Sequence, residues 1–297
     1  MKYSISFKTI FLEKNQGHGM ARRRSLEECS NELIALMDAD DISLPHRFCE
    51  QIKLFLKNEN LDVCGGYITE FIGDETNIIG RRKVELDDYN IKKDLKKRCP
   101  MNQVSIMLKK TSYENAGGYI DWYCEEDYYL WARMTQKGCI FGNANVDLVN
   151  VRTGLGMSAR RGGWKYFQSE RNMQKYLLSN KLIGWPRYLY NIVLRFGGEV
   201  IAPNWLRNKL LKLTRSKFHS NDNSSIPLEV DISVPSFSVA MCVYGKDNAE
   251  WFDKALESIS VNQTLKPSEI VLVVDGPIPD EIQKTIEKYS NLFKYEV

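Results

Sequence analysis

The residues in this sequence that could do chemistry are carboxylates placed at the ends of apolar runs. Leu33-Ile34-Ala35-Leu36-Met37 carries no charge, and Asp38-Ala39-Asp40-Asp41 follows it directly. Aspartates two residues apart at the end of a buried strand suit a hard cation, Mg²⁺ or Mn²⁺, acting as a Lewis acid on phosphate oxygens. Strand edges of this kind are where α/β sheets bind ligands. The same cluster also suits a turn and a helix N-cap, with Asp41 the candidate cap. A second apolar run, residues 269–274, ends in Asp275-Gly276-Pro277, which reads as a ligand-facing carboxylate or as an ordinary turn. Glu125-Glu126-Asp127 opens a helical stretch. Asp127 first, and Glu126 second, can serve as a general base toward a hydroxyl. All three acids also favour a helix N-terminus electrostatically.

The elements that must position these groups alternate. Residues 5–12, 33–37, 61–72, 103–108, 145–151, 237–244 and 269–274 read as strands. Helices are expected near 20–29, from Ser43-Leu44-Pro45 onward with Pro45 in the first turn, and over 125–137, 249–262 and 279–290. Residues 74–100 are polar and read as a mobile loop over a site. The alternation predicts an α/β fold with a mainly parallel sheet flanked by helices. Residues 219–236, polar and with two prolines, read as a linker. After it a β-α-β-α unit of about 60 residues begins, too small to make a stable sheet alone. The N-terminal part starts as if its first two strands were missing, and the two deficits fit each other.

The 297 residues suffice for one large domain or two small ones, and 43% hydrophobic with 27% charged residues is ordinary for a globular protein. The net charge is +3, but from Arg160 to Lys217 there are 13 Lys and Arg against two Glu. This basic stretch mixes its cations with Trp164, Tyr166, Trp185, Tyr188, Tyr190, Phe196 and Trp205. Such a stretch can lie on an anionic membrane, or it can be a helical subdomain with solvated cations. Seven scattered cysteines with no Cys-x-x-Cys pair favour a reducing compartment over a disulfide framework or a zinc site. No apolar h-region marks a signal peptide, and no apolar window is long enough to span a membrane. The expected location is cytoplasmic, with peripheral contact to the inner face of the membrane through 160–217. No nucleic-acid partner is expected.

Taken together the motifs resemble glycosyltransferase family 2. That family opens with a strand like residues 238–244 and a helix ending near Gln263-Thr264-Leu265-Lys266-Pro267. Its second strand ends in Asp-Gly, here Asp275-Gly276. Then come Asn15, Gly17, Gly19, Ala21 and Arg22, the Asp-x-Asp segment Asp38-Ala39-Asp40 with Asp41, Gly117-Gly118-Tyr119, and Glu126-Asp127-Tyr128-Tyr129-Leu130-Trp131. Residues 37–48, 98–110 and 126–134 look closest to transferases of bacterial capsule and exopolysaccharide repeats, the amylovoran type. There are two departures. Gln103 stands where the family is expected to have His, and the family's first two strands lie at the C-terminus.

The resemblance implies a GT-A, Rossmann-like sheet with a basic helical extension, written in circularly permuted order. The divisions would be 1–160, the extension 161–218, the linker 219–236, and 237–297 as the first nucleotide-binding part. It implies an inverting transfer from a UDP-sugar to a glycan or lipid-linked glycan. By resemblance Asp275 contacts the base with Arg22 close by, Asp38 faces the nucleoside, Asp40 binds the metal, and Tyr244, Asp247 and Gly17 border the nucleotide. Arg160 and Arg161 could meet donor phosphates. Trp122 and Trp131 could stack on sugars, though Trp131 lies on an apolar stripe. Two other readings remain: a non-catalytic nucleotide- or glycan-binding domain, and a nucleotidyltransferase. The second needs a Gly-rich basic loop after its first strand, and Tyr244-Gly245-Lys246-Asp247 lacks one.

Overall fold

The computed structural model describes residues 5–154, 163–202 and 234–294. In chain order they form β1 (Ser6–Leu12), α1 (His18–Glu28), β2 (Leu33–Met37), β3 (Ile42–Ser43), α2 (Arg47–Lys57), β4 (Leu61–Phe71), β5 (Ile78–Arg82) and α3 (Asp88–Leu95). A tight turn, Gln103–Ser105, leads to β6 (Met107–Lys109), α4 (Lys110–Asn115), α5 (Glu126–Gln136), β7 (Ile140–Arg152), α6 (Trp164–Ser179) and α7 (Trp185–Arg195). The last of these widens into a further helical turn, Phe196–Ile201. Then follow β8 (Phe237–Val243), α8 (Ala249–Ile259), β9 (Glu269–Asp275) and α9 (Asp280–Lys294).

One nine-stranded sheet runs β1-β9-β8-β2-β6-β4-β7-β3, with β5 added on β4. The first four strands are parallel, in registers that start Ser6↔Glu269, Ser238↔Glu269 and Leu33↔Phe237. Residues 237–275 therefore lie between β1 and β2 of the same chain. β2, β8 and β9 are buried on both faces, as strands inside parallel sheets are, and their side chains sort by alternation, while β1 at the edge stays partly exposed. Leu33, Ala35, Met37, Val239, Met241, Ile270, Leu272 and Val274 pack toward α2, α8 and α9. Ile34, Leu36, Ala240 and Val271 pack on the other side with Leu26, Tyr128, Trp131 and Met173.

Local chemistry sets several helix starts. Asn248 accepts the backbone N–H of Trp251 at 3.0 Å to begin α8, and Asp87 accepts that of Asn90 at 3.0 Å to begin α3. Pro186 sits in the first turn of α7, where a missing N–H costs nothing.

Four local expectations are corrected. The segment 74–100 holds β5 and α3, because Ile78–Arg82 finds an unpaired edge of β4. The strand expected at 103–108 is a tight turn followed by the three residues of β6. The helix expected from Ser43 begins at Arg47, because Ile42-Ser43 pairs with Asn150 and Val149 of β7 first. Asp41 therefore caps no helix. Its carboxylate accepts the N–H of Arg152 at 2.8 Å. Trp131 is buried in the core, and the Trp122 ring packs 4.5 Å from Tyr129 while its N–H donates to Ser169 at 2.9 Å. Among the described residues, no helix is long and apolar enough to cross a membrane.

Candidate active site

The C-terminal ends of β9, β8 and β2 and the start of α1 converge. Asp275 is only 5% exposed, and its two carboxylate oxygens accept the backbone N–H groups of Gln16 at 2.7 Å and Gly17 at 3.1 Å. The Asn15 side chain donates to the Asp275 carbonyl at 3.3 Å. This contact needs the chain to come very close. Gly276 has φ +88°, and a Cβ there would sit 2.7 Å from the Asn15 nitrogen. Gly17, at φ +88°, turns the loop into α1.

One helical turn later the three consecutive arginines part company. Arg23 pairs with Glu27 at 2.9 Å and Arg24 with Glu28 at 2.6 Å, both at the surface. Arg22 is 6% exposed and points inward. It donates to Asp38 at 2.6 Å and to Glu126 at 3.5 Å. Burial opposes its charge, but Asp38 and Glu126 outweigh that and raise its pKa above the ordinary value. Reciprocally, burial opposes the Asp38 carboxylate, yet Arg22 holds it below its usual range. Arg22 thus links β2 to the start of α5. Asp275 meets the loop just ahead of Arg22 rather than the guanidinium itself.

Asp38 and Asp40 are both half-buried at the end of β2. Asp247, in the β8–α8 loop, joins them electrostatically. Burial, then Asp40 and Asp38, push its carboxyl up to about 6, although it accepts the Tyr244 N–H at 2.9 Å. Tyr244 itself is exposed at the rim. Burial beside Asp40 and Asp38 also raises Asp41 well above its ordinary value. Among the described residues, no group of three or more His, Cys, Asp or Glu is arranged to hold a metal by itself. The donor set offers hard carboxylate oxygens, which fits an ion held by one or two carboxylates together with ligand phosphates.

Glu126 and Asp127 diverge from the first turn of α5. Glu126 faces Arg22, and burial followed by the Asp127 charge raises its carboxyl to about 7. Asp127 faces the other way: it accepts a bond from the Cys99 thiol at 3.4 Å and from its own helix at the Tyr128 N–H, 2.7 Å away. Burial and Asp127 push the Cys99 thiol well above its usual range. Near it, Gln103 donates to the Tyr119 hydroxyl. Glu125 turns inward toward Tyr166, 3.3 Å away, and burial beside Glu170 and Asp127 raises its carboxyl well above the ordinary range.

Sequence reasoning missed two arginines that fix this geometry. Arg47 is fully buried and donates to the Leu36 carbonyl at 2.6 Å, the Ile106 carbonyl at 3.3 Å and Gln51 at 3.1 Å. Burial lowers its pKa to about 10. It clamps the strand that carries the aspartates. Arg152 donates to the Asp40 carbonyl at 3.1 Å and to the Gly73 carbonyl at 2.8 Å, and stacks 4.4 Å from Trp251 and 4.6 Å from Phe71. The signal for Arg47 was present: with Gln51 it shares the helical face of Phe48, Ile52 and Phe55, so two polar residues lie on a buried stripe. Arg160 and Arg161 lie outside the described residues.

A parallel α/β sheet with carboxylates gathered at its strand ends, and an acidic pair opening a helix across the cleft, is the architecture of a GT-A glycosyltransferase. The sequence model of glycosyl transferase family 2 matches residues 1–113. An uncharacterized glycosyltransferase of Haemophilus influenzae is 32% identical over 203 residues, 68% of this chain and 75% of the relative. The amylovoran biosynthesis glycosyltransferase AmsE of Erwinia amylovora is 32% identical over 184 residues, 62% of this chain and 68% of the relative. The UDP-Gal:alpha-D-GlcNAc-diphosphoundecaprenol beta-1,3-galactosyltransferase of Escherichia coli is 32% identical over 217 residues, 72% of this chain and 77% of the relative. The chain belongs to glycosyltransferase family 2, and it is an enzyme of that class with relatives in polysaccharide biosynthesis.

Proposed function

We propose that the protein transfers a sugar from a UDP-sugar to a hydroxyl of a lipid-linked glycan, with inversion, in assembly of a capsule or exopolysaccharide repeat. The observation that carries this is the Asp38–Arg22–Glu126 chain, which ties the diphosphate end of the cleft to the helix that supplies a base. The Escherichia relative, which takes UDP-Gal and alpha-D-GlcNAc-diphosphoundecaprenol, supports the donor and acceptor classes, and the Erwinia relative of amylovoran biosynthesis supports the polysaccharide role.

In this reading Asp275 faces the uracil. A carboxylate has about four lone-pair sites. The two N–H groups of Gln16 and Gly17 leave room for a base N–H. Gly17, Tyr244 and Asp247 border the nucleotide. Asp38, held ionised by Arg22, orients the ribose side. Asp40 would hold Mg²⁺ or Mn²⁺ alongside the diphosphate. The ion would supply charge neutralisation of the leaving group. Asp127 faces the acceptor side and takes the hydroxyl proton as the acceptor oxygen forms its bond to the anomeric carbon and the UDP oxygen leaves from the opposite face. Glu126 stands behind Arg22 as the second candidate.

We also read the chain order as permuted, so that residues 237–294 do the work of the family's first β-α-β-α unit. Placement of β8 and β9 between β1 and β2 supports this. A gene re-ordered to begin at residue 234, with residue 294 joined to residue 5 through a short linker, should then fold and bind UDP as the present chain does. Separately, transfer from a panel of UDP-sugars onto an undecaprenyl-diphosphate-linked GlcNAc acceptor tests the activity. Transfer should be lost with EDTA and restored by Mn²⁺ or Mg²⁺. Unchanged transfer by both Asp40→Ala and Asp127→Asn would overturn the reading.

A further inference from the structure

α6 buries Phe167, Met173 and Leu177, but α7, packed on it, is built with its polarity reversed. α7 turns its polar residues inward. Asn191 donates to Gln174 at 2.7 Å and to the Lys96 carbonyl at 3.0 Å. Arg195 donates to Glu170 at 2.6 Å and to the Lys97 carbonyl at 2.9 Å. Its apolar residues face out. Trp185, Leu189 and Val193, one turn apart along the helix, are 64%, 55% and 71% exposed. Leu194 and Ile201 extend the same exposed apolar surface. A helix of a globular protein normally buries this stripe. An exposed contiguous apolar patch marks an interaction site.

Beside the stripe opens a groove of about 720 Å³. Lys96, Lys181 and Arg187 line it together with Leu178, Leu182 and Trp185, and none of its lining residues is acidic. Of the two acids in the whole stretch from Arg160 to Lys217, Glu170 is turned inward to Arg195. Glu199 is half-buried, and the charged residues lining the groove beside the apolar stripe are all cationic. A self-complementary dimer face would need to meet its own copy. Here that would set cationic grooves near one another. An anionic lipid surface matches both features at once: apolar side chains enter the boundary between headgroups and acyl chains, and Lys and Arg meet the phosphates.

We propose that the outer face of α7, with Trp185, Leu189, Val193 and Leu194 inserted and Lys96, Lys181 and Arg187 against phosphates, docks the enzyme on an anionic phospholipid bilayer. None of these residues is among those placed at the nucleotide. This surface gives the lipid-linked acceptor of the reading above a place to be met, but its test does not require transfer.

The test is flotation of the full chain with vesicles of phosphatidylglycerol and phosphatidylcholine, set beside vesicles of phosphatidylcholine alone. The protein should float with the anionic vesicles, and less so as salt rises. Leu189→Glu with Val193→Glu should lower the bound fraction by about tenfold or more. Lys181→Glu with Arg187→Glu should remove the preference for the anionic lipid. All four positions are exposed, so thermal melting and UDP binding should stay as in the unchanged protein. Equal flotation of the Leu189/Val193 variant would overturn the proposal. So would a dimer in sedimentation that this variant makes monomeric while no vesicle binding is seen, since the face would then belong to a second copy. Loss of transfer with intact flotation would count against the catalytic reading alone.

Discussion

Two regions of the molecule pair their polar groups alike but treat their apolar side chains in opposite ways. Around Asp38 and Asp275 nearly every polar group has a partner from a distant part of the chain: Arg22 from α1, backbone N–H groups from the β1–α1 loop, Arg152 from β7. In α7 the polar groups are also paired inside, yet the apolar ones are left in water. The first arrangement is what a preorganised site requires, because charges already held in place need no rearrangement when a charged ligand arrives. The second lacks half of its packing. It teaches that burial of polar residues alone does not mark a core; one must ask what became of the apolar ones.

Several experiments can break or sharpen that contrast. The largest effect should come from the acidic pair. Asp127→Asn should lower the turnover by about 10²–10⁴-fold, as removal of a general base does. Leu189→Glu with Val193→Glu should leave turnover on a water-soluble acceptor unchanged. Next is stability, read by urea unfolding. Leu177→Ala, in the buried core under α6, should cost about 2–5 kcal/mol. Leu189→Ala, on the exposed face, should stay within about 0.5 kcal/mol. A large loss for Leu189→Ala would show that the face is covered within the chain. Third, Gly276→Ala should cost about 1–3 kcal/mol from its left-handed backbone and the clash with Asn15, and UDP titration should show weakened binding alongside the lower melting temperature.

The smallest effect is pH-dependent. The Glu126 carboxyl rises from 4.5 to about 7. Its neutral form is thus favoured in the folded protein, which holds more protons than the unfolded chain between those values. Stability should fall modestly as pH rises through that window, and Glu126→Gln should flatten the slope. If Glu126 rather than Asp127 is the base, kcat/KM should instead rise through about pH 7 and lose that limb in Glu126→Gln. Turnover kept in Glu126→Gln and lost in Asp127→Asn assigns the base to Asp127.

β2 and β9 were legible because each holds an apolar run ended by a carboxylate, Leu33–Asp38 and Ile270–Asp275, and β8 because residues 237–244 are nearly all apolar. The edge of the sheet was not. Ile78–Arg82 and Ile42-Ser43 are short and mixed in polarity, and only the strands they pair with make them strands. In the candidate site, Asp38, Asp275 and the α5 pair could be named from motif and position. Which of Arg22, Arg23 and Arg24 turns inward could not be read from three like residues in a row; the helix phase against β2 decides it. Arg47 was overlooked for a similar reason. A cation in a helix is ordinarily solvated, and this one is held instead by the carbonyls of Leu36 and Ile106. The stretch that holds α7 left two readings open, a membrane-lying segment and a helical subdomain, because the direction of an apolar stripe is fixed only by what lies on each side.

Placing β9 beside β1 has a consequence for how the protein comes to be made. Asn15 and Asp275, which meet in the finished fold, are 260 residues apart. At a synthesis rate of about 5–20 residues per second, roughly 13 to 50 seconds separate the emergence of β1 from that of its partner β9. During that interval β1 and β2 hold apolar edges with nothing between them. Slow refolding after dilution from denaturant is the expected cost of building one sheet from strands so far apart in sequence.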